Sequence, residues 1–247
     1  MGDQLGSVAI VGAGDHIGAA IARRFAREGH PVHGGRRNAD KLQPLAEEIA
    51  GAGGHFTGHA LDARDEESVI AFLEAADAEV PLELVVYNIG ANVQFPLVDT
   101  TERVFRKVWE MACFGGFLTG REAARRMLAH GSGSIFFTGA TASMRGGAGY
   151  AAFGSAKAGL RSVAQSMARE LGPQNIHVAH LVIDAAVDTE WVRERIAEAR
   201  GVVSLAQMPP DSLMSPASIA ETYWQLHRQP RDAWTHELDL RPFGERW

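Results

Sequence analysis

The chain reads as an α/β protein: a doubly wound parallel sheet of about seven strands with helices on both faces. Three observations lead there. Short apolar runs alternate with amphipathic helical stretches from end to end. The runs are continuous, as expected of strands buried on both faces, rather than alternating apolar with polar. The stretches between them are long enough for the helical crossovers that join parallel neighbours. With 247 residues and no linker, low-complexity tract or short repeat, the chain is read as one domain over 1–247.

Each element has its own signal. Ser7–Val11 is a buried first strand that passes through a glycine-rich turn into a helix. In that helix Ile17, Ile21 and Phe25 recur at four-residue spacing, and Gly29 marks its end. Residues 32–35 form a second strand. The next helix carries Leu42, Leu45 and Ile49, and Pro44 inside that pattern requires it to start late or kink. Residues 56–61 read as the third strand, with Val69, Leu73 and Ala76 marking the following helical face. Residues 84–87 are the fourth strand and 101–129 one long helix. The second half continues with a strand at 135–138, a long helix at 149–171, a strand at 178–183 and a helix at 188–199. Residues 201–214 hold adjacent Pro209 and Pro210 and read as a loop. Ser215 caps a helix with Pro216 at its first position, and 235–240 is an edge strand.

Composition narrows the function classes. Lysine and arginine total 24 against 30 acidic residues, a net charge of −6 with no basic block, which argues against a nucleic-acid partner. No apolar run approaches the ~20 residues needed to span a bilayer, and the first, at 8–11, is too short for a secretory leader. Met1–Gly2 resembles the start of a myristoylated chain, but Gly6 stands where serine or threonine is required. Cys113 is the only cysteine, and no metal-type Cys/His spacing occurs, so neither a disulfide nor a metal is expected. These features suit a cytoplasmic protein with a small-molecule partner and no membrane partner.

The first strand–turn–helix carries Gly12, Gly14 and Gly18. Glycines there let the backbone approach a phosphate, and the helix beginning at Ile17 offers free N–H groups and a positive dipole end. His16 stands beside the same phosphates. At the end of the second strand a carboxylate would hold free ribose hydroxyls. This chain has Gly34, Gly35, Arg36 and Arg37 instead, and two guanidiniums suit a 2′-phosphate. NADP(H) is therefore the expected cofactor, in preference to NAD(H).

On these residues the chain resembles the short-chain dehydrogenase/reductases of compact, single-domain, Rossmann-type fold, from Ser7 to Leu240. The family's Thr-Gly-x-x-x-Gly-x-Gly is matched by Val11-Gly12-Ala13-Gly14-Asp15-His16-Ile17-Gly18, with His16 at the middle glycine. The resemblance implies an adenine contact at Asp62. It aligns the Asn-Asn-Ala-Gly motif with Tyr87-Asn88-Ile89-Gly90, and gives Thr189 the nicotinamide amide, with Val187 beside it. It further implies a homotetramer or homodimer formed through the helices at 101–129 and 149–171, and a substrate lid at about 189–214 that includes Trp191, Val202, Val203, Leu205 and Met208.

The catalytic positions depart from the family. Lys157 matches the lysine of Tyr-x-x-x-Lys, but Phe153 occupies the tyrosine position. Ala140 occupies the serine position, Ala112 the asparagine position, and Asp184-Ala185 replaces a Pro-Gly pair. Removing a general acid typically costs about 10²–10⁴-fold, so ordinary ketone reduction should be slow. Thr141, Tyr150 and Asp184 are the candidate substitutes alongside Lys157. The bland alternatives are that Thr141 caps a turn, Tyr150 is packing, and Asp184 holds the following loop by hydrogen bonds. His177 and His180, on a buried strand, are read as packed. The resulting expectation is an atypical NADP(H)-dependent oxidoreductase for a carbonyl, imine or enone. The alternatives are an NADP-binding sensor or partner without redox activity, or a pocket for non-redox chemistry such as elimination or isomerisation.

Overall fold

The computed structural model describes residues 5–200 and 208–244. Its strands are β1 (Ser7–Val11), β2 (Val32–Arg36), β3 (Phe56–Ala60), β4 (Leu82–Tyr87), β5 (Gly133–Thr138), β6 (Ile176–Ile183) and β7 (Glu237–Leu240). They form one seven-stranded sheet in the order β3-β2-β1-β4-β5-β6-β7, every pair parallel. The order reverses between β1 and β4, the place where open α/β sheets bind ligands beyond their carboxyl ends.

The helices are α1 (Ile17–Arg27), α2 (Gln43–Gly51), α3 (Glu66–Asp77), α4 (Glu102–Trp109), α5 (Gly115–His130), α6 (Thr141–Met144), α7 (Ala151–Leu171), α8 (Glu190–Arg200) and α9 (Pro216–His227). Pro44 falls in the first turn of α2, after a short 3-10 turn at Ala39–Leu42, so the helix starts late rather than kinking. Ser215 caps α9 as expected, its hydroxyl accepting from the Ala217 amide. The continuous helix expected over 101–129 is instead α4 and α5 joined by a π turn at Glu110–Phe114.

Strand alternation sorts the core into two layers. Val8 and Ile10 of β1 pack with Ile21 and Phe25 of α1 and Tyr223 of α9. Ala9 and Val11 face the opposite layer with Leu73, Leu118 and Leu160 from α3, α5 and α7. The period of two along a strand buried on both sides accounts for the unbroken apolar runs in the sequence. A smaller cluster joins Val108, Ala112 and Cys113 to Ala152, Phe153 and Ala156, locking the α4–α5 junction onto α7. His177 stacks on Trp234 with centroids 4.9 Å apart, and His180 lies 3.0 Å from Glu237, so both are packed as the sequence suggested. Burial pushes the His180 imidazole down to about 4.

Candidate functional site

Two adjoining clefts open at the carboxyl ends of β1 and β4, sharing Gly12, Gly14, Asn88, Ile89 and Gly90 in their walls. Gly12 has φ of +91°, and a Cβ added there would stand 2.9 Å from the Asn88 carbonyl oxygen. At Gly18 an added Cβ would come within 2.4 Å of the Gly12 oxygen, so α1 begins pressed against the turn. At Gly14 nothing lies within 4 Å of the added Cβ, because that position faces the open cleft. His16 is the N-cap of α1 and supplies no side-chain cap, which leaves the first N–H groups of the helix to the cleft that His16, Ile17 and Gly18 line.

The first cleft, about 520 Å³, is rimmed by Arg36, Arg37, Asn38, Lys41, Asp62 and Arg64. Gly35 packs closely under Leu61, since an added Cβ would lie 2.4 Å from Leu61 Cδ2 and require that side chain to shift. Arg36 Nη1 pairs with Asp15 Oδ1 at 2.9 Å across the mouth of the turn. Asp62 is gripped by the Arg64 guanidinium, with Nε at 2.9 Å and Nη2 at 2.6 Å, which holds its carboxyl below the usual range. A glycine cradle, an open helix end and a cationic rim fit a dinucleotide carrying an extra phosphate on its adenosine ribose.

The second cleft, about 710 Å³, holds the reactive side chains. Lys157 is buried in α7. Its Nζ donates to the Ile89 carbonyl at 3.0 Å and to the Thr138 carbonyl at 2.8 Å. One of its three donors is left for a ligand. Burial lowers its ammonium from 10.5 to about 8. Asn88 ties the strand ends together, donating to the Gly12 carbonyl at 3.1 Å and accepting from the Thr138 hydroxyl at 3.0 Å. Around Lys157 the wall is formed by Ala140, Thr141, Tyr150 and Phe153, with the Phe153 ring 6.0 Å from Nζ. Ala112 lies behind Phe153 in the buried cluster and does not line either cleft.

Asp184 is placed differently from the expectation. It is 2% exposed and absent from the cleft wall, while its neighbours Ile183 and Ala185 line it. Its carboxylate accepts from the Thr141 hydroxyl and pairs with Arg241 at 2.8 Å and Arg145 at 3.4 Å. Its backbone N–H donates to Leu240, tying it to β7. Surrounded by two guanidiniums and a hydroxyl donor, it is a buried ion-pair anchor rather than a group aimed at substrate. The signal that assigns this role, Arg241, lies far along the chain and could not be read locally.

Val187 and Thr189 line the second cleft, Val187 through a bridge to Met214. The Thr189 hydroxyl accepts from the Val192 amide at 3.2 Å, capping the first turn of α8. Trp191, half exposed, closes that side with Arg195 over its ring at 4.9 Å. Of the residues expected to form a lid, Val202, Val203 and Leu205 lie outside the described residues, whereas Met208 is described and partly buried. Sequence reading missed Asn92 and Arg145 as wall residues, since nothing in their spacing distinguishes them.

Tyr87 was singled out only as a motif position, yet it shapes the site. Its buried hydroxyl donates to the Met111 carbonyl inside the π turn, and Met111 lines the first cleft. A π turn displaces backbone groups from the usual ladder, and this phenol satisfies one of them. Tyr87→Phe is expected to cost about 0.5–1.5 kcal/mol, the net worth of one hydrogen bond to a partly buried carbonyl. Urea melting should show the loss as a lower midpoint with an unchanged slope.

Comparisons with known proteins converge on one family. A sequence profile described as short chain dehydrogenase matches residues 7–200. The 3-oxoacyl-[acyl-carrier-protein] reductase MabA of Mycobacterium tuberculosis is 30% identical over 218 residues, covering 87% of this chain and 82% of that one. A solved short-chain dehydrogenase from Rhodopseudomonas palustris is 57% identical with a TM-score of 0.82, covering 96% of this chain and 99% of that one. A metagenomic short-chain oxidoreductase, solved in complex with NADP, is 25% identical with a TM-score of 0.80, covering 98% and 99%.

Proposed function

This chain belongs to the short-chain dehydrogenase family, and we propose that it is an NADP(H)-dependent oxidoreductase acting on a small, largely apolar substrate. The preferred acceptor is one whose reduction needs no strong proton donor: an imine in its protonated form, or an activated enone, before a simple ketone. The observation that carries this reading is the wall around Lys157. Phe153 and Ala140 stand where the family resemblance implies a tyrosine and a serine, while Lys157, Asn88 and the glycine turn are kept. Bound dihydronicotinamide would supply the hydride. Hydride addition to a protonated imine gives a neutral amine and requires no further proton, whereas hydride addition to a ketone leaves an alkoxide that must be protonated.

The side chains divide the work. Lys157 would hold the nicotinamide ribose through its remaining donor, and Thr189 and Val187 would frame the carboxamide end. Thr141 donates its own proton to Asp184, so its oxygen faces other groups as an acceptor. That polarity suits an N–H on the substrate better than a developing alkoxide. Asp184 is a positioning residue for Thr141, and Tyr150 is the phenol on the wall that remains for proton transfer where an enone requires it.

Arg36 and Arg37 support selection for the extra phosphate. NADPH should bind more tightly than NADH. Arg37→Ala should weaken NADPH about 10–150-fold, the equivalent of one charge-assisted bond of about 1.5–3 kcal/mol, and leave NADH nearly unchanged. Equal dissociation constants for the two cofactors in the parent protein would contradict this. Among the described residues no helix is long and apolar enough to cross a membrane.

Assembly belongs to the same reading. Phe105 and Trp109 of α4 and Phe117 and Leu128 of α5 are each about 40% exposed, an apolar surface that a second copy would cover. Light scattering should give a mass two or four times 26.6 kDa, and a monomer mass at micromolar concentration would refute the assembly.

A further inference from the structure

The end of the sheet opposite the clefts carries a second constellation. His30 stands just before β2, Glu83 near the start of β4, and His227 at the last residue of α9. One ligating atom from each lies within 4.8 Å of the other two. His227 Nε2 is 3.0 Å from Glu83 Oε1, and His30 Nδ1 is 3.7 Å from Glu83 Oε2. In a tetrahedral site with metal–ligand bonds of about 2.0–2.2 Å, neighbouring ligand atoms stand roughly 3.3 Å apart. The two measured separations run to different oxygens of the Glu83 carboxylate and lie either side of that distance, so a small rotation of the carboxylate would bring the three groups onto one ion.

The surroundings orient the three groups. The Gly6 amide donates to Glu83 Oε2 at 2.8 Å, fixing the carboxylate, and the Gly6 carbonyl oxygen lies 3.0 Å from His30 Nδ1. Phe25 and Trp224 pack edge-on or tilted against both imidazoles, with centroids 5.3–5.9 Å apart around the cluster. The side chains of His30 and His227 are 2% and 8% exposed, so their rotamers are held by packing. The charge balance also calls for a cation. Among the described residues, the ion-pair partners of Glu83 are the two histidines, which carry no charge when neutral. The nearby Arg24, stacked on Trp224, is already paired with Glu28 and Glu221.

We propose that His30, Glu83 and His227 form a site for one divalent transition-metal ion of the zinc type, with the fourth position taken by water or the Gly6 carbonyl. Two imidazoles and one carboxylate are a ligand set that suits zinc, cobalt or nickel and disfavours magnesium or calcium. The ion would staple the entry to β2, the start of β4 and the end of α9, so its effect falls on stability rather than on hydride transfer.

The test uses the full chain, free of any affinity tag and stripped with chelator. Cobalt(II) titration should saturate at one equivalent with the strong visible bands of a four-coordinate ion, and zinc should displace them. Zinc alone should raise Tm. Glu83→Gln and His227→Asn should each weaken cobalt binding by at least about 10–100-fold, since even losing a partner of a ligand costs that much. Both should abolish the zinc-dependent rise in Tm and keep the parent's NADPH affinity, which also shows that they fold. Absence of saturable cobalt binding in the parent overturns the proposal. So does binding that survives unchanged in both variants.

Discussion

Phe153→Tyr is expected to raise ketone reduction by about 10²–10⁴-fold, the usual worth of a positioned general acid. The replacement adds one hydroxyl to a ring already lining the cleft, 6.0 Å from the Lys157 ammonium. The nearby cation lowers the pKa of the new phenol by favouring its phenolate, which makes it a better donor to an alkoxide. Reduction of a protonated imine should change little, because that reaction asks for no proton. Adding Ala140→Ser should help ketones further by about 10²–10³-fold at most, as for one oxyanion donor. Steady-state kcat/KM on a matched ketone and imine checks both statements. An equal gain on the two substrates would show that the tyrosine acts by repacking the pocket and not as an acid.

Lys157→Met is expected to weaken NADPH binding by about 10–150-fold, from the loss of one charge-assisted bond to the ribose. The pH dependence has a defined sign. The buried ammonium titrates near 8 in the folded chain against 10.5 in the unfolded one. Below about 8 the lysine is charged and can grip the ribose hydroxyls, so NADPH affinity should fall as pH rises through 8. Folding stability without cofactor moves the other way. Between 8 and 10.5 the unfolded chain binds more protons than the folded one, so this group makes the protein more stable as pH rises across that window. Fluorescence titration of NADPH and urea melting, each from pH 7 to 10, should show opposite trends in the parent. In Lys157→Met both trends should disappear.

How much of this was legible in sequence depended on the range of the forces involved. The central strands were readable because a strand buried on both faces is largely apolar, as Val8–Val11 is. The late start of α2 was readable because Pro44 acts within one turn. The π turn at Glu110–Phe114 was not, because the phenol that bonds its Met111 carbonyl comes from Tyr87 on β4, a contact that only the folded chain makes. The glycine turn and the two arginines, proposed to hold the cofactor phosphates, were legible from local spacing, and the structure places them around one cleft. The ion pairs of Asp184 could not be read from the sequence, because Arg145 and Arg241 reach it only in the folded sheet. The same limit hid the cluster of His30, Glu83 and His227. Their separations in sequence match no ligand motif, and only strand order places them together.

The central claim is that the cleft supports hydride transfer without the family's hydroxyl acid. It is tested most directly by following NADPH absorbance with the intact protein against a matched panel of cyclic imine, enone and ketone. Oxidation of NADPH should be fast with the imine, measurable with the enone and at least about 10²-fold slower with the ketone. Ketone turnover equal to or faster than imine turnover, in a protein that still carries Phe153 and Ala140, would contradict the account. Tight NADPH binding with no oxidation by any member of the panel would contradict it as well, and would point to a sensor or to non-redox chemistry in the same cleft.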